Sequence, residues 1–249
     1  MVMGKRVSEE LKKHLKNISP LGVRARNRMR QIEEKKQKEK LFLKLKKDKN
    51  KVILSRLCGF IAGDGTLSIR NDGKNMHYDL RFYPDDLYLA KIFVDTFFKL
   101  YDKYPRIKKT GNFYTVDVCS KLACNHLKSV SSFGTLSWII PSNLFISNKS
   151  KIEFIRAFFD CEAYVSKSKN VIQVQSVNKS GLYSLMNLLE EFGIICKMYT
   201  YERKNKNWNT NYLLTILGKE NVIKFARLIG FNHSIKQTKL LKLAGMAKR

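Results

Sequence analysis

The chain has 249 residues and a formal net charge of +27, from 48 Lys and Arg against 21 Asp and Glu. A charge this positive indicates a polyanionic partner, with nucleic acid the first candidate and an acidic membrane surface the second. The membrane is the weaker candidate, because no apolar run approaches the roughly 20 residues that a bilayer span requires.

The first segment, residues 1–50, differs in composition from the rest. It contains 17 Lys and Arg and 6 acids. The pattern predicts a short helix to about Asn17, an interruption at Pro20 and Gly22, and a basic helix over residues 24–49. Two interpretations of this extension stay open, an arm that grips phosphates and a solvated tail.

A regular order of elements begins at residue 51 and fills residues 51–131. The turn signal Asn71-Asp-Gly73 separates two strands, and Pro84-Asp-Asp86 begins a helix that runs to about Tyr101. The predicted elements are helix 51–63, strands 66–70 and 78–83, a helix from 84, strands 106–110 and 113–119, and helix 121–131.

The same order recurs in residues 151–249, after a linker at 132–150. The predicted elements are helix 151–162, strands 164–168 and 171–177, helix 180–192, strands 196–203 and 208–217, helix 219–229 and a final helix over about 234–247. The chain therefore reads as an α+β fold of two pseudo-symmetric αββαββα repeats with antiparallel sheets.

Two short segments, Leu57–Gly65 and Ile155–Ala163, are imperfect copies of each other at the start of the repeats. Each is an apolar helical run that ends in an acid, Asp64 in the first and Glu162 in the second, 98 residues apart. If the two helices pair side by side, these acids meet at one end. Two carboxylates that meet in a basic protein indicate a bound divalent metal and not a salt bridge.

Small residues four positions apart line one face of each copy. They are Gly59 and Gly63 in the first, and Ala157 and Cys161 in the second. Residues at this spacing share a helix face, so the two helices can approach almost backbone to backbone. The carbonyl groups of Gly63 and Cys161 would then lie beside the acids and could add metal ligands.

Alternation along the strands predicts which side chains face away from the core. Leu80 and Phe82 in one strand, and Ile172 and Val174 in another, point inward, whereas the residues between them point outward. Taken singly, such a strand is more often an ordinary solvated sheet face, but with the charge and the paired acids the open face suits the DNA major groove. The candidate DNA-binding residues are Thr66, Ser68, Arg70, Arg81, Tyr83, Gln173, Gln175, Lys197, Tyr199, Tyr201 and Arg203.

The two copied segments resemble the signature of the LAGLIDADG homing endonucleases, in the single-chain form with two repeats. The first copy departs from the signature at Ala62, and the second at Arg156, Ala157 and Ala163. The resemblance covers roughly residues 50–245. It implies a DNA-binding saddle of two sheets, with the signature helices at the interface between the repeats.

The resemblance also implies an activity, which is site-specific hydrolysis of both strands of a DNA duplex during intron homing. It implies a monomer and two or more Mg²⁺ ions, with Mn²⁺ able to substitute. The candidate catalytic residues are Asp64, Glu162, Lys236 and Gln175, with Gln175 and its pseudo-equivalent Arg81 positioning water.

Other functions are also compatible with the sequence. A maturase of the same family would bind intron RNA, and a regulator would bind DNA without cutting it. A basic ribosome-associated protein would explain the charge but not the repeat.

Five cysteines show no C-x-x-C pairing and no histidine at zinc-finger spacing. Buried free thiols in a reducing compartment are the simplest interpretation. The first residues carry no apolar signal region, so we expect an intracellular protein.

Overall fold

The computed structural model describes residues 9–166, 169–202 and 209–246. The chain divides into two compact units, residues 1–43 and 44–249. Within the described residues, no helix has both the length and the apolar character of a membrane span.

Helix α1, Glu9–Leu45, is continuous over 37 residues, so the predicted interruption at Pro20 and Gly22 is wrong. A proline inside a helix costs about 3 kcal/mol, but the surrounding run of Lys, Arg, Glu and Gln favours the helix at most other positions. Helix α2 begins at Asp48, three residues before the predicted start.

Two four-stranded antiparallel sheets follow, and they have the same topology. The first has the order β1-β2-β4-β3 and the second the order β5-β6-β8-β7. The two-repeat α+β architecture is therefore confirmed. The elements are α2 Asp48–Asp64, β1 Gly65–Asn71, β2 Met76–Phe82, α3 Leu87–Tyr101, β3 Arg106–Thr110, β4 Phe113–Cys119, α4 Lys121–Val130, α5 Asn148–Glu162, β5 Ala163–Val165, β6 Val171–Ser176, α6 Lys179–Glu190, β7 Cys196–Tyr201, β8 Asn211–Leu217, α7 Lys219–Leu228 and α8 Ser234–Ala244.

Helices α2 and α5 pack against each other along the predicted small-residue face. A Cβ atom added to Gly59 would lie 2.5 Å from the carbonyl oxygen of Phe154 and 2.9 Å from the Cβ of Ala157. A Cβ atom on Gly63 would lie 2.5 Å from the Cβ of Cys161. The absence of side chains at these two positions therefore permits the close approach of the helices.

Each sheet presents alternate residues to a core that the helices cover. Leu80 and Phe82 of β2 and Ile172 and Val174 of β6 are almost completely buried, as the alternation predicted. Phe60 of α2 contacts the ring of Phe82, with centroids 5.2 Å apart, so the signature helix and the sheet share this core.

The linker between the repeats docks onto the second repeat through Trp138, which is buried. Its carbonyl oxygen accepts a 2.7 Å hydrogen bond from the side chain of Asn178, the residue that caps α6. The Trp138 indole donates to the hydroxyl of Ser176 at 3.3 Å. These contacts anchor the linker to the end of β6 and the start of α6 in the second repeat.

His126 in α4 makes the stability of the first repeat depend on pH. The hydroxyl of Tyr101 lies 2.8 Å from its Nδ1, and burial lowers the pKa of His126 from 6.5 to about 4. Between these pH values the unfolded chain binds a proton that the folded chain excludes, so stability falls as the pH falls through this window. We expect a loss of at most about 3 kcal/mol in the free energy of unfolding.

Urea unfolding at pH values across that window measures this loss. Replacement by a side chain that accepts a hydrogen bond but does not titrate, His126→Asn, should make the profile flatter. An unchanged slope in the variant would assign the pH dependence to other groups.

Candidate metal centre and nucleic-acid interface

Asp64 and Glu162 are the last residues of α2 and α5, and they are partly buried beside each other. Burial and the negative charge of Asp64 raise the pKa of Glu162 to about 7. Burial also raises the pKa of Asp64, and the charge of Asp85 adds to the effect. The paired helices therefore bring together the two acids that the sequence singled out.

A divalent cation would relieve this repulsion. The negative ends of two helix dipoles meet at the same place, which further favours a cation. Within the described ranges, no group of three or more His, Cys, Asp or Glu side chains could hold a metal. Two carboxylates fit Mg²⁺ because this ion usually keeps several waters and takes further oxygens from a phosphate.

Lys236 lies next to these acids, at the start of α8. Its Nζ donates to the carbonyl oxygens of Asp160 and Cys161, at 2.6 and 2.9 Å. Its positive charge partly offsets the rise in the pKa of both Asp64 and Glu162 that burial causes. The Cys161 carbonyl thus accepts a hydrogen bond from this lysine, and the roles of Gly63 and Cys161 as metal ligands stay predictions.

Asp160 was missed by the sequence analysis, although it shapes the site. It is completely buried, and its carboxylate accepts from the backbone N–H groups of Asn232 and His233 at 2.8 and 2.9 Å. The amide of Asn232 donates at 2.9 Å as well. This carboxylate thereby fixes the turn from which α8 begins. The sequence feature that could have identified Asp160 is the presence of an acid inside an apolar helix.

The start of α8 also contacts the first repeat. Nε2 of His233 lies 3.2 Å from a carboxylate oxygen of Asp85, and the Ser234 hydroxyl donates to Asp86 at 3.0 Å. Asp86 caps α3 by accepting from the N–H of Tyr88. The start of α8, which includes Lys236, therefore contacts both repeats. Asp85 is a further acid whose charge acts on Asp64, and its role was not predicted.

Replacing Asp160 by alanine should destabilise the protein and displace Lys236. Its three donors would lose their acceptor in a buried place, so we expect a loss of about 3 kcal/mol in the free energy of unfolding. The exposed carboxylate of Asp95, which pairs with Lys99, is the matched control, and Asp95→Ala should cost less than about 1 kcal/mol. Denaturant unfolding of both variants makes the comparison, and equal losses would contradict this assignment.

The outward sheet residues of the first repeat form rows across the strands. One row runs across all four strands in the order Thr66, Arg81, Asp117 and Arg106, each residue paired with the next. The Arg106 guanidinium pairs with Asp117 at 3.1 Å. Thr66, Arg70, Arg81 and Tyr83 are exposed, and Ser68 is partly exposed. Arg70 pairs with Asp79 at 3.1 Å.

The second sheet has a corresponding row. Tyr164 is opposite Gln173, which is opposite Thr215, which is opposite Lys197. The amide of Gln173 donates to the Thr215 hydroxyl at 3.2 Å. The other predicted residues Gln175, Lys197, Tyr199 and Tyr201 are exposed, and Gln173 is partly exposed. Arg203 lies outside the described residues.

The register corrects the predicted equivalence of Gln175 with Arg81. Arg81 pairs with Thr66, which is two residues after Asp64. The equivalent position in the second repeat is Tyr164, two residues after Glu162, and it pairs with Gln173. The spacing along the two strands therefore makes Gln175 the counterpart of Tyr83. The error arose because sequence alone does not fix how two strands align across a hairpin.

Comparisons with known proteins agree with this architecture. Residues 149–230 match the model of the LAGLIDADG-like domain. A probable translation initiation factor IF-2 of Methanocaldococcus jannaschii is 34% identical over 112 residues, 44% of this chain and 10% of that protein. A replication factor C small subunit of Thermococcus kodakarensis is 36% identical over 90 residues, 36% of this chain and 10% of that protein. The chain thus spans about a tenth of the length of these curated relatives.

Solved structures share the fold over most of the chain. Variants of the homing endonuclease I-DmoI match with a TM-score of 0.58 at 20% identity, covering 72% of this chain and 90% of theirs. I-DmoI in complex with DNA and Mn matches with a TM-score of 0.58 at 19% identity, covering 72% and 97%. Full-length DUF199/WhiA from Thermatoga maritima matches with a TM-score of 0.52 at 13% identity, covering 79% and 60%.

The paired helices and the duplicated sheets accompany a match of residues 149–230 to the LAGLIDADG-like domain. The resemblance to the single-chain LAGLIDADG homing endonucleases is confirmed, and the fold is the two-repeat fold of I-DmoI.

Proposed function

We propose that this protein is a site-specific endonuclease that cuts both strands of double-stranded DNA in intron homing. The observation that carries the proposal is the pair of carboxylates, Asp64 and Glu162, at the joined ends of α2 and α5. Two like charges at a helix interface repel each other and would not help a protein that only binds DNA. The same two charges can hold a divalent cation. The structure of I-DmoI with DNA and Mn supports the choice of substrate and ion type.

Asp64 and Glu162 would hold Mg²⁺, with Mn²⁺ able to substitute. Such ions activate water and neutralise charge on a phosphodiester during its hydrolysis. Lys236 supplies a fixed positive charge beside both acids and so opposes their protonation. Gln175, on the strand position opposite the end of α5, offers an amide that can orient water.

The two open sheet faces would read the DNA. Arg, Gln, Thr and Tyr side chains of both sheets are exposed in rows, and such groups recognise base edges in the major groove. Two similar sheets in one chain can contact two half-sites, so a monomer suffices. Of the five free cysteines, Cys58, Cys124 and Cys196 are buried and Cys161 is partly buried, whereas Cys119 is exposed, so the prediction of buried thiols is wrong for Cys119.

A duplex made by joining the sequences that flank this gene tests the proposal. Incubation with Mg²⁺ should give one discrete double-strand cut near the junction, and EDTA should give none. Cutting that is unaffected by EDTA, or specific binding without any cut in Mg²⁺ or Mn²⁺, would contradict the proposal.

A non-cleaving DNA-binding regulator is the second candidate. The fold match to WhiA, which covers 79% of this chain, leaves this alternative open. Specific duplex binding without cutting would support it. Tighter binding to the intron RNA than to duplex DNA would instead support a maturase.

A further inference from the structure

The basic helix α1 has an arrangement of charge that the proposed nuclease site does not use. Residues 22–40 of this helix are exposed, except for partial burial at Gly22 and Glu34. Arg24, Arg26, Arg28 and Arg30 follow one another at alternate positions, with no acid among them.

These arginines lie on opposite sides of the helix. Successive residues are rotated by about 100° in an α-helix, so residues two apart are separated by about 200°. Arg24 and Arg28 therefore share one face, which also contains Lys35 and Lys38. Arg26 and Arg30 share the other face, and Lys36 lies midway between the two faces, about 80° from both Arg26 and Arg28.

A helix that lies on a flat charged surface needs cations on one side. A helix in the major groove of B-DNA has phosphates on both sides, because this groove is about 12 Å wide and admits one helix. We propose that residues 24–38 of α1 bind in the major groove of double-stranded DNA and contact phosphates with both faces. This proposal rests on the proposed function only for the choice of DNA as partner, since it requires no cleavage.

Other partners fit less well. Between residues 22 and 40 the apolar side chains larger than alanine are Val23, Met29 and Ile32. An amphipathic helix that lies on a membrane or on another protein usually has three or four in every two turns. The major groove of an RNA duplex is deep and narrow, so the width of this groove favours DNA.

The test uses the full chain, a fluorescein-labelled mixed-sequence DNA duplex and EDTA, so that no cutting occurs. One double variant, Arg24→Gln with Arg28→Gln, removes the arginine charges of one face. The other, Arg26→Gln with Arg30→Gln, removes those of the opposite face. Each pair should weaken binding roughly tenfold and reduce the slope of log K against log salt by nearly 2, about 0.9 for each lost phosphate contact.

The matched control is Lys91→Gln with Lys128→Gln, which removes two exposed lysines from α3 and α4 and should leave the slope unchanged. Circular dichroism checks that the glutamine variants keep their helix content. A change of slope in only one of the arginine double variants, or in neither, would overturn the proposal that both faces of α1 contact phosphates. Equal or tighter binding of an RNA duplex of the same sequence, with the same loss in the variants, would also overturn it.

The outcomes separate this proposal from the nuclease. A wild-type protein that cuts DNA but shows no effect of the arginine pairs disproves only the role of α1. A protein with both slope changes and no cutting in any metal supports the role of α1 and disproves the nuclease.

Discussion

Asp64→Asn and Glu162→Gln are each expected to lower the rate of DNA cleavage at least about a thousandfold, because a bound metal contributes several kcal/mol to such a reaction. Both replacements keep the size of the side chain and remove a charge. They also remove repulsion between the two acids, so neither should destabilise the helix pair. Single-turnover cleavage of the target duplex in Mg²⁺ measures the effect.

DNA binding should survive in these variants. In EDTA the wild-type carboxylates repel phosphates, so each neutral variant should bind the duplex as tightly as the wild type or more tightly. Asp95→Asn, which changes an exposed acid on α3, is the control and should alter neither quantity. Retained cleavage in both site variants would show that the paired acids are not the catalytic centre.

Gly59→Ala should destabilise the repeat interface by about 3 kcal/mol, because the added methyl group has no space. Its Cβ would lie 2.5 Å from the carbonyl oxygen of Phe154, which is a backbone atom and cannot rotate away. Removing the neighbouring side chain with Ala157→Gly should therefore restore little of the loss. Chemical denaturation of the single and double variants measures both effects.

Two further variants control for the chemical change itself. Gly22→Ala adds the same methyl group to a helix where nothing lies within 4 Å, and it should not destabilise the protein. Gly63→Ala meets the Cβ and Sγ atoms of Cys161 instead, so the added change Cys161→Gly should restore much of its loss. Equal effects of Gly22→Ala and Gly59→Ala would contradict the close packing of the helices.

Local patterns in the sequence were sufficient to predict the helix pair and both sheets. The small residues and the terminal acid occur twice at the same spacing, so each copy supports the interpretation of the other. The alternation of Leu80 with Arg81 and of Ile172 with Gln173 distinguished the covered face from the open face. These patterns depend on residues close together in the chain.

Features that depend on distant contacts were not predicted. The carboxylate of Asp160 binds backbone groups more than 70 residues away, and no local pattern reports such partners. The contact of Asp85 with His233 joins the two repeats and is equally remote. The equivalence of Gln175 with Arg81 was wrong for a related reason, because the register of two strands is a property of the folded sheet.

Calorimetric titration with Ca²⁺, carried out on the complex of the protein with its uncut duplex, tests the central claim most directly. We expect the wild-type complex to bind Ca²⁺ ions that the Asp64→Asn and Glu162→Gln complexes do not bind, while the Asp95→Asn complex still binds them. The same number of bound ions and the same affinity in all four complexes would contradict a metal centre at the joined ends of α2 and α5.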